Sequence, residues 1–216
     1  MIRACQPGDE QAVRRISFET ALYGNPIARY MPDEELISEA LVGYYIRFEP
    51  GLLLVAEENG RVVGYTTGCR NTRLYKQRYE RHVLPSLLRL FIRHRHWRRG
   101  HSWRLVFRIV QTAHLVTKLQ EHVDRDFPAH CHCNILPSHQ GKGLGAQLMA
   151  QLLAELKKEQ VKGIHLSTAT DAGKAFFTRM GFQPICQYQL PPLWDQAARE
   201  LWVMARSING HDARPS

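Results

Sequence analysis

The stretch His130-Cys131-His132-Cys133-Asn134-Ile135-Leu136-Pro137-Ser138-His139-Gln140-Gly141-Lys142-Gly143-Leu144-Gly145 decides how the rest of the chain is read. Its first half alternates. Ala129 to Leu136, closed by Pro137, reads as a strand with His130, His132 and Asn134 on one face and Cys131, Cys133 and Ile135 on the other. Its second half is a glycine-rich turn. Gly141, Gly143 and Gly145 let backbone approach a ligand without an intervening Cβ, and the helix that follows offers unbonded N–H groups and the positive end of its dipole. Leu144, Leu148, Leu152 and Leu156, with Met149 and Leu153 beside them, recur at steps of three and four and mark that helix, expected to end near Gln160. Strand, glycine turn and helix N-terminus in succession make an anion site. Its natural guest is a phosphate or pyrophosphate, and two imidazoles face one way beside it.

Spacing separates the nucleotide-binding readings. A Walker loop needs Gly-Lys followed by Ser or Thr, whereas Lys142 precedes Gly143 and no Ser or Thr follows. Gly141 to Ala146 fits Gly-x-Gly-x-x-Ala, but a dinucleotide domain places that turn after its first strand, and only about 70 residues remain here for the rest of a doubly wound sheet.

Gln140-Gly141-Lys142-Gly143-Leu144-Gly145, after the strand end Ile135-Leu136-Pro137, meets every position of Gln/Arg-x-x-Gly-x-Gly/Ala following an apolar-x-Pro. Downstream, Ala175-Phe176-Phe177-Thr178-Arg179-Met180-Gly181-Phe182 looks like Ala-x-Phe-Tyr-x-x-x-Gly-Phe, in the matching order and at the matching distance. Together these resemble the GNAT superfamily of N-acetyltransferases. The resemblance implies acetyl-CoA as cosubstrate. Its pyrophosphate would be held by Gln140, Gly141, Lys142, Gly143, Leu144 and Gly145, and its pantetheine arm would pair with the strand at Ile135, Leu136 and Pro137. Thr170, where the family frequently has Asn, and Phe177 are further cofactor contacts by the same resemblance. The Ile135 N–H as donor to the thioester carbonyl is likewise implied only by resemblance. Phe177 stands where many members place a tyrosine that protonates the departing thiolate, so the acid is left unassigned.

Amine acylation also needs the acceptor deprotonated. His130 and His132 are the candidate bases, since imidazole titrates near neutrality and both face the same side of the donor strand. The arrangement is similar to the His-x-His of a member of the same superfamily whose strand histidines are assigned to proton removal. The alternative is that the pair fills a half-buried surface and bonds to neighbours. No metal is expected at this pair, because zinc needs a third ligand and Cys131 and Cys133 point the other way.

The 216 residues, 44% hydrophobic, are expected to form one domain over 1–207 with a frayed tail at 208–216. Met1 to Cys5 lacks the apolar region of a signal peptide, no 18-residue apolar run occurs, and five irregularly spaced cysteines fit a reducing compartment; the expectation is a cytoplasmic enzyme with no membrane partner. Met1 to Cys5 reads as a strand, Pro7-Gly8-Asp9 as a helix start, and Pro32-Asp33 as the start of a second helix. Leu52 to Glu57 and Val62 to Thr67 form a hairpin around Asn59-Gly60. Phe48-Glu49-Pro50 is expected to be a loop near the mouth. Gly163 to Thr168 is the next strand, followed by a helix from about Asp171 to Met180 and a closing hairpin of Pro184 to Leu190 with Glu200 to Ser207. The fold class is therefore α/β (α+β), a single mixed, mostly antiparallel sheet flanked by helices.

Between the third and fourth strands, 70–126 reads as a helical insertion, with helical spacing in Leu84-Leu87-Leu88-Phe91-Ile92 and in Leu105-Val106-Ile109-Val110. It holds 14 Lys/Arg against 4 Asp/Glu, which accounts for the whole net charge of +9. Its densest part, His94 to His101, could grip an acidic acceptor or the 3′-phosphate of coenzyme A, or form a solvated surface; nucleic acid is not the expected partner, because no binding motif accompanies the charge. The expected activity is direct transfer of an acetyl group from acetyl-CoA to a primary amine on a small molecule or protein. A homodimer is compatible with the chain, and a non-catalytic acyl-CoA or acidic-ligand module on the same fold is the alternative.

Overall fold

The computed structural model describes residues 1–98, 122–190 and 199–208. The chain enters as β1 (Ile2–Ala4) and, after a 3-10 turn at Pro7–Asp9, forms α1 (Glu10–Glu19) and α2 (Glu34–Phe48). The hairpin β2 (Leu53–Glu58) and β3 (Arg61–Cys69) follows. Asn59 and Gly60 join the hairpin at φ 52° and 73°, the two left-handed residues that a turn matched to strand twist requires.

The insertion begins with α3 (Thr72–Arg78), passes through a π-helical turn at Tyr79–Val83, and continues as α4 (Leu84–Arg93). Pro85 accounts for the wide turn: it has no N–H to donate one turn back, and its ring crowds that carbonyl. The helix expected around Leu84 to Ile92 is therefore present, preceded within the helical insertion by α3, which no apolar spacing had located. The helix expected at Leu105 to Val110, the Pro191-Pro192 connection and the tail from 209 lie outside the described residues. A short helix, α5 (Val123–Asp126), leads into β4 (Ala129–Ile135), then α6 (Leu144–Lys158), β5 (Gly163–Thr168), α7 (Asp171–Arg179), β6 (Gln183–Leu190) and β7 (Arg199–Ser207).

Among the described residues, seven strands form one sheet in the order β1-β2-β3-β4-β5-β7-β6. Every pairing is antiparallel except β4 with β5. Alternation along β2 divides the layers: Leu53 and Val55 pack with Tyr65 against Val13, Ile16 and Val42 of α1 and α2, while Leu54 and Ala56 face α6. The leucine stripe of α6 (Leu144, Leu148, Met149, Leu152, Leu156) is buried there against Val63 and Cys131.

Both ends of the insertion fasten at one place. The Thr72 N–H and hydroxyl both donate to the Pro128 carbonyl, at 2.8 and 2.9 Å, and Lys76 Nζ donates to Asp124 at 2.7 Å. Arg70 pairs with buried Glu49 after α2 and with Glu159 at the end of α6. Glu49, expected in a loop near the mouth, is instead 4% exposed and committed to this structural pairing.

A Cβ on Gly68 would lie 2.7 Å from Leu152 Cδ1 and 3.2 Å from Leu52 Cβ, so β3 and α6 touch without room for a methyl group. Leu152→Ala is expected to cost about 2–5 kcal/mol and Gly68→Ala about 1–3 kcal/mol. The double variant should lose less than the sum, because the new methyl occupies space that Leu152 vacates. Equilibrium urea denaturation of the three proteins measures this coupling; strict additivity would show that the two positions do not share that space.

Candidate active site

The site begins where two neighbouring strands part company. β4 and β5 pair only at Ala129↔Ile164 and His130↔His165. Beyond that point β4 stays with β3 as far as Ile135, and β5 stays with β7 as far as Thr168. At the root, Gly163 lies where a Cβ would be 2.6 Å from the Phe127 ring, so only glycine lets the strands meet there. Toward the far end of β4 a gap opens, and its edge is polar. The Leu136 N–H donates across to Val63 of β3 at 3.0 Å, so the alternation of a strand turns the N–H groups of Ile135 and Cys133 to the opposite edge, into the gap. On that same edge the Ile135 carbonyl accepts from the Gln140 side chain at 3.0 Å, which folds the loop after β4 back on the strand end.

That loop delivers the chain to the N-terminus of α6. Gly141 and Gly143 both sit at φ 79°, a left-handed conformation that favours glycine, and open space surrounds the position a Cβ would take at each. Gly143 is the N-cap of α6 and its carbonyl receives the Gln147 N–H at 3.1 Å, which leaves the N–H groups of the first turn without helical partners. Gly145 has a different reason to be glycine: a Cβ there would lie 3.3 Å from the Phe176 ring, so it permits α6 to pack on α7 rather than a ligand to approach. Lys142 is engaged with Glu58 at 2.9 Å, and this hydrogen bond holds the Glu58 carboxyl below its ordinary pKa.

The imidazole face lies on the α1/α2 side. His130 is buried and both of its ring nitrogens are occupied: Nδ1 lies 2.8 Å from Thr72 Oγ1 and Nε2 lies 2.7 Å from the Tyr45 hydroxyl. Thr72 donates its own proton to Pro128 O, so Oγ1 accepts from His130 Nδ1–H, and Nε2 accepts from Tyr45 O–H. This corrects the expectation for His130, which holds no open lone pair for a substrate proton. Burial first, and then the charges of His165, His132 and Lys76, hold it well below the ordinary imidazole pKa.

His132 has the opposite situation. It is exposed, on the same face and 6.1 Å ring to ring from His130; its carbonyl accepts from the Thr66 hydroxyl at 2.9 Å, and no hydrogen bond to its ring is among those described. The protein crowded around its open recess lowers its pKa to about 4, through desolvation and then the charge of His165; solvent reaching the ring moderates that desolvation. Across the ladder from it, the buried Thr67 hydroxyl has no partner among the described residues. Asn134, next on the face, donates to the Tyr65 hydroxyl at 2.8 Å. Cys131 and Cys133 lie on the other face, and burial raises both thiols, so neither is a thiolate at neutral pH.

Four residues of this face escaped the sequence reading. Tyr45 and Thr72 lie 85 and 58 positions from His130, and Tyr75 stands 4.6 Å ring to ring from it; contacts so distant along the chain leave no local pattern. His165 was accessible in principle, as a histidine inside an expected strand. Its Nδ1–H donates to the Phe127 carbonyl at 2.7 Å, and its Nε2 faces Asp124 at 3.6 Å.

Two residues placed by resemblance have structural employment. Thr170 caps α7, its hydroxyl accepting from the Gly173 N–H at 3.1 Å. Phe177 is packed edge-on between Phe176 and Phe182, 4.9 and 5.7 Å ring to ring, and carries no proton to give.

Comparison with known proteins agrees with this architecture. Residues 108–184 match the family model described as acetyltransferase (GNAT) domain. The fold is similar to that of SsHAT, at 25% identity and TM-score 0.73 over 96% of this chain and 98% of that one. It is also similar to yncA of Salmonella typhimurium, solved with its cofactor acetyl-CoA (19% identity, TM-score 0.60, 100% and 97% covered). A GNAT superfamily phosphinothricin acetyltransferase from Sinorhizobium meliloti in complex with acetyl-CoA gives 15% identity and TM-score 0.62, with 100% and 92% covered. The chain thus has the fold of these solved structures, and its segment 108–184 resembles the GNAT acetyltransferase domain.

The depressed histidines make stability depend on pH. His130, His132 and His165 all have folded-state pKa values below the ordinary value of about 6.5. Above that value both folded and unfolded chains are neutral at these positions. As pH falls through it, the unfolded chain takes up protons that the folded chain refuses, so stability declines. Urea midpoints should therefore drop between pH 7 and 5, and His130→Gln should make that decline shallower by up to about 1.4 kcal/mol per pH unit. A flat dependence over this window would contradict the buried neutral state of His130 and His165.

Proposed function

We propose that this chain is an acetyl-CoA-dependent N-acetyltransferase that moves an acetyl group directly to the primary amine of a small molecule or protein. The single observation that carries the proposal is the gap between β4 and β5, with the Ile135 and Cys133 N–H groups along its edge and the open glycine turn of α6 at its end. An acyl donor with an extended amide-bearing arm and a pyrophosphate matches that sequence of features: strand-edge donors for the arm, then left-handed glycines and free helix N–H groups for the anion. Gln140, Gly141, Lys142, Gly143 and Leu144 would hold the pyrophosphate, with Ile135, Leu136 and Pro137 along the arm. The solved acetyl-CoA complexes of the same fold support this reading.

Each residue then has a defined task. The Ile135 N–H, fixed by the β3–β4 ladder, supplies the hydrogen bond that a developing oxyanion needs at no reorganisation cost. His132 is the one imidazole of the pair open to the cleft, and we assign it proton removal from the acceptor. Its lowered pKa keeps it neutral at pH 7 but makes it a poor store for a proton, so it passes the proton on to solvent through the same opening. His130 acts through position: bonded by Tyr45 and Thr72, it fills the space behind His132 as a neutral ring. Phe177 contributes packing, and the departing thiolate, a good leaving group near neutral pH, takes its proton from water.

Phe177 also favours a second reading, a module that binds acyl-CoA without turning it over. Thiol release in an acceptor screen separates the two: binding of acetyl-CoA with no release from any amine supports the module.

Saturating acetyl-CoA is expected to raise the thermal midpoint, with linkage of roughly 2.7 kcal/mol at a hundredfold excess over Kd, and adenosine alone should do far less. Gly143→Val should abolish the shift, because a branched side chain at φ 79° both strains the turn and blocks approach to the N–H groups. No shift with the parent protein would sink the cofactor assignment.

For proton removal, the acid limb of kcat/KM should lie below the ordinary imidazole value, toward about 4, and His132→Gln should lower the rate about 10²–10⁴-fold while removing that limb. Full activity with an unchanged profile in His132→Gln would take the histidine out of the proton path.

A further inference from the structure

The start of α2 and the end of α4 meet at a cluster that acetyl transfer does not use. Asp33 caps α2 through Oδ1, which accepts the Leu36 N–H at 2.9 Å and so fixes the carboxylate with Oδ2 turned toward the insertion. Two imidazoles converge on that one oxygen: His94 Nδ1 at 2.6 Å and His96 Nε2 at 2.5 Å. Arg95 between them sits at φ 56°, a left-handed conformation uncommon outside glycine, and this bend brings rings two residues apart to the same point. The three donor atoms lie within 4.8 Å of one another, and His96 is 2% exposed. Burial works against the charge of Asp33, yet hydrogen bonds from His96, the Leu36 N–H and His94 outweigh it, so the carboxyl stays ionised at neutral pH. Behind His94, Glu35 Oε2 stands 3.3 Å from Nε2, on the side of the ring away from Asp33.

We propose that Asp33, His94 and His96 form a binding site for a divalent transition-metal cation, zinc by its donor set. Two imidazoles and one carboxylate are a three-ligand set that tetrahedral zinc accepts, with water at the fourth position. Glu35 supplies what a ligating histidine usually has, an outer carboxylate that holds the proton on the far nitrogen and leaves Nδ1 for the metal. In the absence of the cation the same atoms form a hydrogen-bonded clasp. Metal–ligand bonds of about 2.0–2.2 Å set the ligand atoms farther apart than 2.5–2.6 Å, so the rings withdraw from the carboxylate by somewhat under about 1 Å as the ion enters. The His94 side chain is 26% exposed and Glu35 54%, which gives solvent a way in. A cation here ties the insertion to α2, the helix whose Tyr45 holds His130.

The full-length chain, stripped with a chelator and dialysed, is titrated with zinc chloride by calorimetry and with cobalt(II) by visible absorption. One zinc per chain, a rise in thermal midpoint and the absorption bands of tetrahedral cobalt are expected. His94→Gln and Asp33→Asn should lose the bands, and Glu35→Gln should weaken zinc binding about 10–100-fold. Asn caps a helix as well as Asp does, so Asp33→Asn separates loss of metal from loss of fold, checked by comparing melts of the chelator-treated proteins. Should Asp33→Asn unfold, the surface variant Glu35→Gln decides alone. No saturable zinc binding by the parent, or undiminished binding in the variants, would overturn the site and leave the clasp as hydrogen bonds only.

Discussion

Everything at the candidate site depends on a ladder that stops early. Two parallel strands that continued side by side would satisfy each other's backbone, and β4 would present only side chains. Because β4 and β5 share two pairs and then follow different partners, the edge of β4 keeps its donors and acceptors unpaired by β5. Buried backbone polar groups are costly to leave without partners, so such an edge is a place where a guest is favoured. The root is kept closed by Gly163 against Phe127, and the far end is held by the hairpin neighbours of each strand. The glycine turn of α6 lies at the end of this edge because the chain leaves β4 there, and Gln140 ties the turn to Ile135.

The two histidines show how little separation along a strand is needed for opposite chemistry. At His130 the sheet is closed by β5 on one side and capped by α2 and α3 above, so the ring is dry, neutral and held at both nitrogens. Two residues on, β5 has departed and His132 meets solvent. Residue type and facing are the same; the neighbours differ.

Much of this was legible beforehand, for physical reasons. Alternation in Ala129–Ile135 and the leucine stripe of α6 are periodic signals with one structural interpretation each, and the strand, glycine turn and helix were read with boundaries within two residues. The faces of β4 followed from alternation alone. The availability of His130 was not legible, because it depends on Tyr45 and Thr72, which reach it only after folding. Gly145 was read as an approach to a ligand because the sequence does not show Phe176 packed above it. Glu49 was misplaced because its partner Arg70 lies 21 residues away on the far side of a hairpin. The insertion's excess charge was plain in the composition, but two of its imidazoles, His94 and His96, turn inward to Asp33, which composition does not reveal.

The fastening of the insertion bears on how such a chain can change over evolutionary time. Thr72 and Lys76 are bonded to Pro128 and Asp124, so the segment leaves and rejoins the sheet at a single point. A loop whose ends are already joined can grow or shrink at a cost that rises only slowly with its length. Solvent-facing residues between those anchors, such as Leu88 and Ile92, are free to diversify without disturbing the sheet, whereas Val83 packs with Cys69 of β3. The first turn of α3 is not free either, since Thr72 also bonds His130 and Tyr75 lies against it. The same excursion thus combines solvent-facing positions with a root bonded to the buried His130 of the sheet.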